Sequence, residues 1–265
     1  MSDLVRRQDG DILWLLLDRP ATRNALTPRL AEDLAFALDH ARRDPSVRAV
    51  ILGGEGGSFC SGIDLGELLG MLGENAGPKQ LRALSRRVLA GQLHGAIRAL
   101  WHLPKPTVAA IEGAAAGFGL DLAAACDLRV VQRDAKLSYT FVRRGLVPDG
   151  GTGGVLPRIV GLGRALELVL LGDTFDGVRA EAIGFANRAV EAGEVRAEAE
   201  RLARRMADNA PLAVAVAKAR LKAGESLEEE LGKVVELAAD QAATADAMEG
   251  VAAFLEKRPP KFTGR

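Results

Sequence analysis

The stretch "EGAAAGFGLDLAAACD" (Glu112–Asp127) decides the fold, because its three glycines and eight alanines or leucines carry little side-chain bulk. It follows the apolar run "PTVAAI" (Pro106–Ile111), which is typical of a buried strand. Glycine inside a regular element is costly unless another group must approach its backbone closely. A strand, a glycine-rich turn and a helix start leave backbone N–H groups unpaired, and such groups bind a negatively charged oxygen. The stretch therefore predicts a binding site made of main chain.

A second glycine-bearing turn, "GGSFCSGIDL" (Gly56–Leu65), also lies between an apolar strand and a helical segment. Two turns of this kind can each aim one backbone N–H at a common point. Such a pair forms an oxyanion hole, to which a helix N-terminus adds partial positive charge. A dinucleotide site is disfavoured, because the third glycine of that fingerprint would fall at Leu122. The alternative is that the small residues only allow a helix to pack tightly.

Composition and charge argue against several classes of function. The 265 residues allow one large domain or two ordinary ones, and 35 basic residues balance 35 acidic ones, which gives no sign of a nucleic-acid footprint. No apolar run is long enough to cross a bilayer, and the polar N-terminal segment lacks the apolar region of a signal peptide. The two cysteines make a poor disulfide framework and fit a reducing compartment. We expect a cytoplasmic α/β protein with no nucleic-acid or membrane partner.

The order of the predicted elements supports this fold class. "ILWLLLD" (Ile12–Asp18) predicts a buried strand, and Thr27 followed by Pro28 predicts the start of the next helix. Apolar residues at helical spacing predict one long helix over Lys79–Trp101.

The C-terminal part has a different pattern. From Pro157 onward it is nearly all helical, and Ser226 is predicted to cap a last long helix that runs toward Phe254. Alternating strands and helices, followed by helices alone, indicate an α/β core with a helical C-terminal region.

Several motifs, in their order and spacing, resemble the enoyl-CoA hydratase/isomerase (crotonase) family over nearly the whole chain. They are "SFCSGIDLGEL", "KPTVAAIEGAAAGFGLDLAAACDLRV", "GLVPDGGTGGVLPRIVG" and "FLEKRPPKF", with "NALT" and "ALELVLLGDTFDGVRAEAIGFANRAV". The resemblance implies a spiral of stacked ββα units, with a core over residues 1–200 and a helical region over 201–265 that forms the contacts of a homotrimer or a dimer of trimers. It also implies an acyl-CoA thioester substrate. Coenzyme A then enters as part of the substrate, and no metal or further cofactor is expected.

The same resemblance assigns the two N–H donors to Ile63 and Phe118, which would hold the thioester oxygen as it becomes an enolate. Gly62, Asp64 and Gly117 flank them and, together with Phe141, are expected to contact the substrate. Phe118 departs from the small residue usual in the family. Because only its N–H is used, the donor survives, and the ring must point away from the substrate or narrow the acyl pocket.

The carboxylates decide the expected reaction. Family hydratases carry two glutamates, and at these positions this chain has Asp121 and Phe141. A phenyl ring cannot act as acid or base, so the hydratase pair is broken. Asp149 lies where some isomerases and a dehalogenase of the family carry an active aspartate. One carboxylate beside an oxyanion hole is enough for an isomerase, so we expect an enoyl-CoA isomerase with Asp149 as acid and base.

Other interpretations stay open. Asp121 can simply stabilise the first turn of its own helix, and Asp149 can belong to an ordinary Pro-Asp-Gly turn. Asp121 and Asp149 can instead share a water, as in a hydratase. The chain can also be an acyl-CoA binding protein that has lost the chemistry.

The remaining polar residues give weaker signals. Arg23, Lys257 and Lys261 are expected to contact coenzyme A, the lysines across a subunit boundary, although solvated side chains are the ordinary alternative. The three histidines lack the spacing of metal ligands, and we expect His94 and His102 to be surface or packing residues. The glycine-containing segment Gly66–Lys79 is expected to shape the acyl pocket.

Overall fold

The short apolar runs of the sequence form the strands of a mainly parallel sheet. The computed structural model describes residues 3–72 and 76–265. Within these ranges the strands are β1 (Leu4–Asp9), β2 (Ile12–Leu17), β3 (Ala49–Gly54), β4 (Thr107–Ile111), β5 (Ala114–Ala116), β6 (Leu128–Gln132), β7 (Lys136–Ser138) and β8 (Arg188–Val190). Six of these described strands form one sheet in the order β1-β2-β3-β4-β6-β8, and β5 pairs with β7 in a second, parallel pair. Only β1 runs antiparallel to its neighbour in the described sheet.

The helices cover both faces of this sheet. They are α1 (Pro28–Arg43), α2 (Leu65–Gly70), α3 (Pro78–Val88), α4 (His94–Trp101), α5 (Phe118–Ala125), α6 (Thr152–Val160), α7 (Leu162–Leu171), α8 (Gly177–Ala182), α9 (Val195–Ala207), α10 (Pro211–Ala223), α11 (Leu227–Ala242) and α12 (Ala245–Glu256). All six residues of β2 are buried, and alternate ones face different cores. Leu13, Leu15 and Leu17 pack in the main core with α1, α4 and α5. The alternate residues Ile12, Trp14 and Leu16 pack with α9 on the other face. A strand buried on both faces explains the unbroken apolar run.

Local sequence signals define several of these elements. The Thr27 hydroxyl accepts a hydrogen bond of 3.0 Å from the Leu30 N–H and caps α1, with Pro28 at its first position, as predicted. The predicted helix over Lys79–Trp101 is present, but a π-helical segment, Leu89–Leu93, lies between α3 and α4. Of the segment expected to shape the acyl pocket, residues 73–75 lie outside the described ranges.

The C-terminal part is nearly all helical, as predicted, apart from β8 at the sheet edge, which pairs with β6. One expectation for this part is wrong. The expected last long helix is two helices, α11 and α12: the chain leaves helical geometry at Thr244, whose hydroxyl caps α12 through the Ala247 N–H at 3.1 Å. The division of the chain after residue 200 stays a prediction; that residue lies within α9, which packs on the sheet.

The last two helices expose apolar side chains. Those on α11 are Leu227, Leu231 and Val235, and those on α12 are Met248, Val251, Phe254 and Leu255. Phe254 is 81% exposed. No helix in the described part of the chain is both long and apolar enough to span a bilayer.

Candidate active site

The two glycine-bearing turns lie side by side. The turn after β3 is joined to β5 by hydrogen bonds, one of them from the Ala116 N–H to the Cys60 carbonyl at 3.0 Å. A methyl group placed on Gly62 would lie 3.6 Å from the Phe118 nitrogen and 2.8 Å from the Ala116 carbonyl oxygen. Gly119 lies equally close to the first turn, since a methyl group there would be 2.3 Å from the Cys60 carbonyl. Small residues are therefore needed because two backbones touch here.

A buried asparagine holds the first turn from the other side. Asn24 is 0% exposed, and its amide donates to the carbonyls of Glu55 and Ser58 at 2.9 and 2.6 Å. Its side-chain oxygen accepts from the Arg19 N–H at 2.8 Å. The "NAL" segment thus fixes the loop that leads to Ile63.

Both predicted donors are left without an acceptor in the described part of the chain. Phe118 is the first residue of α5, so no carbonyl of that helix can accept its N–H. Ile63 lies opposite Leu26, where the bonds run from the Leu26 N–H to Gly62 and from the Asp64 N–H to Leu26. Both residues line one cavity of about 250 Å³, which we call the site cavity. The arrangement can bind an oxygen that carries negative charge.

The Phe118 ring belongs to the main core and is 1% exposed. Of the two expected orientations, the structure therefore has the ring turned into the core. The residue usual in the family is small, but at this position a large side chain is accommodated behind the N–H.

Asp149 also lines the site cavity. It lies in the loop before α6, half-buried, and its Oδ1 is buried without a hydrogen-bond partner among the described residues. Burial raises the pKa of this carboxyl above its ordinary value, and the charge of His94 acts in the opposite direction. The Asp149 carbonyl oxygen lies 2.7 Å from Nε2 of His94. A carboxyl group with an unpaired oxygen, close to two free N–H groups, can transfer a proton to or from a bound molecule.

Asp121 lies behind the site cavity and is not among its lining residues. It is 2% exposed on α5, and its Oδ1 accepts a hydrogen bond from the Thr152 hydroxyl. Burial raises its pKa to about 7; the Thr152 hydrogen bond lowers the pKa and the nearby charge of Asp149 raises it. A methyl group on Gly150 would lie 2.5 Å from Asp121 Oδ2, so glycine is required there. Asp121 and Asp149 are thus two neighbouring carboxyls, of which Asp149 faces the cavity.

We expect Asp121→Asn to stabilise the chain at alkaline pH. Because the folded state raises this pKa from 3.8 to about 7, it binds the proton more tightly than the unfolded state does. The stability of the wild type therefore falls as pH rises through this interval. Asn has no proton to lose, so its advantage should grow with pH and reach at most about 4 kcal/mol. Urea unfolding at pH 5 and pH 8 measures the difference; an equal effect at both would contradict a buried acid.

Phe141 forms an apolar wall of the site cavity. Its side chain is 6% exposed, and its Cζ would lie 3.6 Å from a methyl group on Gly117. Gly117 has a φ of +52°, a value that favours glycine, and it immediately precedes the first turn of α5. Phe141 therefore shapes the cavity and cannot donate or accept a proton.

The other predicted contacts are distributed differently. Asp64 lines the site cavity, caps α2 through the Glu67 N–H at 3.0 Å and pairs with Arg19 at 2.9 Å. The hydrogen bond from the Glu67 N–H is the main reason that its pKa is lowered. Arg23 is exposed beside the cavity but does not line it. Lys257 ends α12 and Lys261 follows it, both exposed and outside the lining.

Sequence reasoning missed two residues of the site. His94 was expected to be a surface or packing residue, but its ring contacts the main chain of Asp149. Thr152 was assigned no role, but its hydroxyl binds Asp121. The sequence signals these residues only through their side-chain chemistry. His94 lies 55 residues before Asp149, so no local motif links the two.

Comparisons with known proteins show which family the chain resembles. The family model for enoyl-CoA hydratase/isomerase matches residues 7–265. Mitochondrial methylglutaconyl-CoA hydratase of Mus musculus is 34% identical, over 98% of this chain and 82% of its own. Mitochondrial enoyl-CoA hydratase domain-containing protein 2 of Homo sapiens is 36% identical, over 97% and 87%. The crystal structure of enoyl-CoA hydratase from Bacillus anthracis has a TM-score of 0.91 to this chain at 29% identity, covering 100% of both.

These matches confirm the crotonase-type fold that the motifs predicted. They extend over nearly all of the chain and include both glycine-bearing turns. The chain belongs to the enoyl-CoA hydratase/isomerase family.

Proposed function

We propose that the chain is an enoyl-CoA isomerase in which Asp149 is the acid and base. The N–H groups of Ile63 and Phe118 would donate hydrogen bonds to the thioester oxygen of a 3-enoyl-CoA. The Asp149 carboxylate would take a proton from C2, and the pair of donors would stabilise the resulting dienolate. The protonated Asp149 would return the proton at C4, which gives the conjugated 2-enoyl ester. Atoms and charge balance without a further reactant.

One observation carries this proposal: among the carboxyl groups of the described residues that line the site cavity, Asp149 alone has a buried oxygen with no partner. Asp64 is held by Arg19 and the end of α2. Burial raises the pKa of Asp149, which makes its carboxylate a stronger base than an exposed one.

Hydration is the second candidate, and the names of the relatives favour it. In this chain it would use Asp121 together with Asp149. Against it, Asp121 does not line the cavity, and Phe141 occupies the position of the other family glutamate. With a pKa of about 7, about half of Asp121 also carries a proton at neutral pH. A protonated Asp121 can still donate a proton in a hydration, so the test must distinguish isomerisation from hydration.

The ultraviolet absorbance of the conjugated thioester separates them. Purified protein is mixed with 3-enoyl-CoA and, in a second experiment, with 2-enoyl-CoA. We expect absorbance to rise with the 3-enoyl ester, because the double bond moves into conjugation. A fall with the 2-enoyl ester alone would mean that water is added and would replace the isomerase by the hydratase. No change with either ester, despite binding, would favour a binding protein without this chemistry.

We also propose that α11 and α12 form the contacts of a homotrimer or a dimer of trimers. Their exposed apolar side chains would be costly in water and fit a neighbouring subunit. Lys257 and Lys261 would then reach coenzyme A bound to that neighbour. Arg23 would contact the same coenzyme A from the subunit that binds the acyl group. Analytical ultracentrifugation should give three or six times the chain mass of 28.0 kDa. Val251→Asp should lower this mass, and a monomeric wild type would contradict the proposal.

A further inference from the structure

We propose that His94 is a positioning residue for Asp149, brought to it by the π-helical segment Leu89–Leu93. The proposal rests on the proposed function of Asp149 and adds a residue that holds it. Three observations support it: the contact between His94 and the Asp149 carbonyl, the packing of α4 on the loop before α6, and the π-helical segment that interrupts the helix immediately before His94.

The contact is short and its direction is defined. Nε2 of His94 lies 2.7 Å from the carbonyl oxygen of Asp149. A carbonyl only accepts, so Nε2 must carry a hydrogen and donate it. No other carbonyl of residues 147–150 accepts a hydrogen bond within the described ranges. His94 therefore ties the Asp149 carbonyl to the start of α4.

The rest of α4 packs on the same loop. Leu93 and Ala96, on either side of His94, are both 0% exposed. A methyl group on Gly151 would lie 3.9 Å from Ile97. His94 is half-buried and lies between these buried positions.

The π-helical segment explains how this face reaches the loop. An α-helix turns about 100° per residue, and the wider turn of a π segment holds one additional residue. All later residues are therefore rotated relative to the continuation of α3. His94 is the first residue after the segment, so its direction includes that rotation. Such segments occur frequently at functional sites.

Two variants of His94 test the proposal. His94→Leu keeps much of the volume but removes the donor, whereas His94→Gln keeps an N–H donor at similar reach. We expect His94→Leu to lower kcat about 10- to 100-fold at little change in KM, because a small displacement of the base misaligns proton transfer. His94→Gln should stay within a few-fold of wild type. His102→Leu, a change at an exposed histidine beside the same helix, is the matched control and should have no effect.

The kinetic outcome separates positioning from folding. A merely structural role would lower the melting temperature in both variants and leave kcat unchanged, and that result would overturn the proposal. Full kcat in a folded His94→Leu would overturn it as well. Rescue of kcat by Gln would support it.

Hydrogen–deuterium exchange of residues 147–152 gives a readout that does not need turnover. Faster exchange in His94→Leu, but not in His94→Gln, would support the positioning role even if wild type acted on neither ester, in which case only the proposed function would fail. Equal exchange in all three proteins would overturn the role of His94 even if Asp149 proved essential.

Discussion

Asp149→Asn is expected to lower turnover of a 3-enoyl-CoA about 10²- to 10⁴-fold, the range that loss of a general acid or base produces. The amide has nearly the same shape as the carboxyl but cannot take the C2 proton. The loss should appear in kcat, because the N–H groups of Ile63 and Phe118 stay in place to hold the thioester. Absorbance kinetics together with calorimetric titration of a saturated acyl-CoA separate the two effects.

The same substitution should leave the fold intact. Oδ1 of Asp149 is buried without a partner, so no hydrogen bond to it is lost. Burial also raises the pKa of this carboxyl, which means that its charged form is disfavoured in the folded chain. The variant should therefore be at least as stable as wild type at alkaline pH, and an inactive, unfolded protein would not count as support.

Asp121→Asn is the control for this experiment. An isomerase that relies on Asp149 should retain most of its turnover in this variant, because Asp121 does not line the cavity. Equal losses from both substitutions would show that the two carboxyls act together, as the hydratase alternative requires. Full turnover in Asp149→Asn would exclude Asp149 as the base.

Local chemistry made part of this site predictable. Gly62 and Gly117 have φ values of +98° and +52°, which glycine adopts readily, and both occur in turns that follow apolar strands. Such features depend on neighbours in sequence. The cap at Thr27 and the buried strand at Ile12 are local for the same reason.

What sequence reasoning missed depends on contacts between distant segments. β8 pairs with β6 from 58 residues further along the chain, as the Arg129–Asn187 contact shows. β1 has a polar face, since only Leu4 of that strand is buried, and it is a strand because it pairs with β2. The role of His94 needed both a π-helical segment and a loop 55 residues away, and no periodic pattern encodes either.

The different environments of the two carboxyls could not be predicted from the sequence. Asp121 and Asp149 differ in exposure and in partners, and these differences arise from packing. Thr152 and the close approach of Gly150 enclose Asp121, while the loop leaves Asp149 at the cavity. Two residues of one type therefore have different chemical environments, and it is the environment that assigns roles.

Gly62→Ala is expected to cause the second large effect, a loss of about 10²- to 10³-fold in kcat, comparable with removal of one oxyanion donor. The added methyl would lie 2.8 Å from the Ala116 carbonyl oxygen, closer than carbon and oxygen can approach without a shift. Backbone atoms are on both sides, so the two turns must separate. The N–H groups of Ile63 and Phe118 would then no longer converge on one oxygen. Backbone strain at a φ of +98° adds a loss of stability of about 1–3 kcal/mol.

Gly57→Ala separates strain from the clash. Gly57 lies in the same loop with a φ of +76°, and a methyl group there would have no atom within 4 Å. This variant should lose about 1 kcal/mol of stability from the left-handed backbone and keep its kcat. Steady-state kinetics and thermal unfolding of both variants are compared with wild type. If the two alanine variants had equal kcat, close approach at Gly62 would not hold the donors, and the oxyanion hole would have to be sought elsewhere.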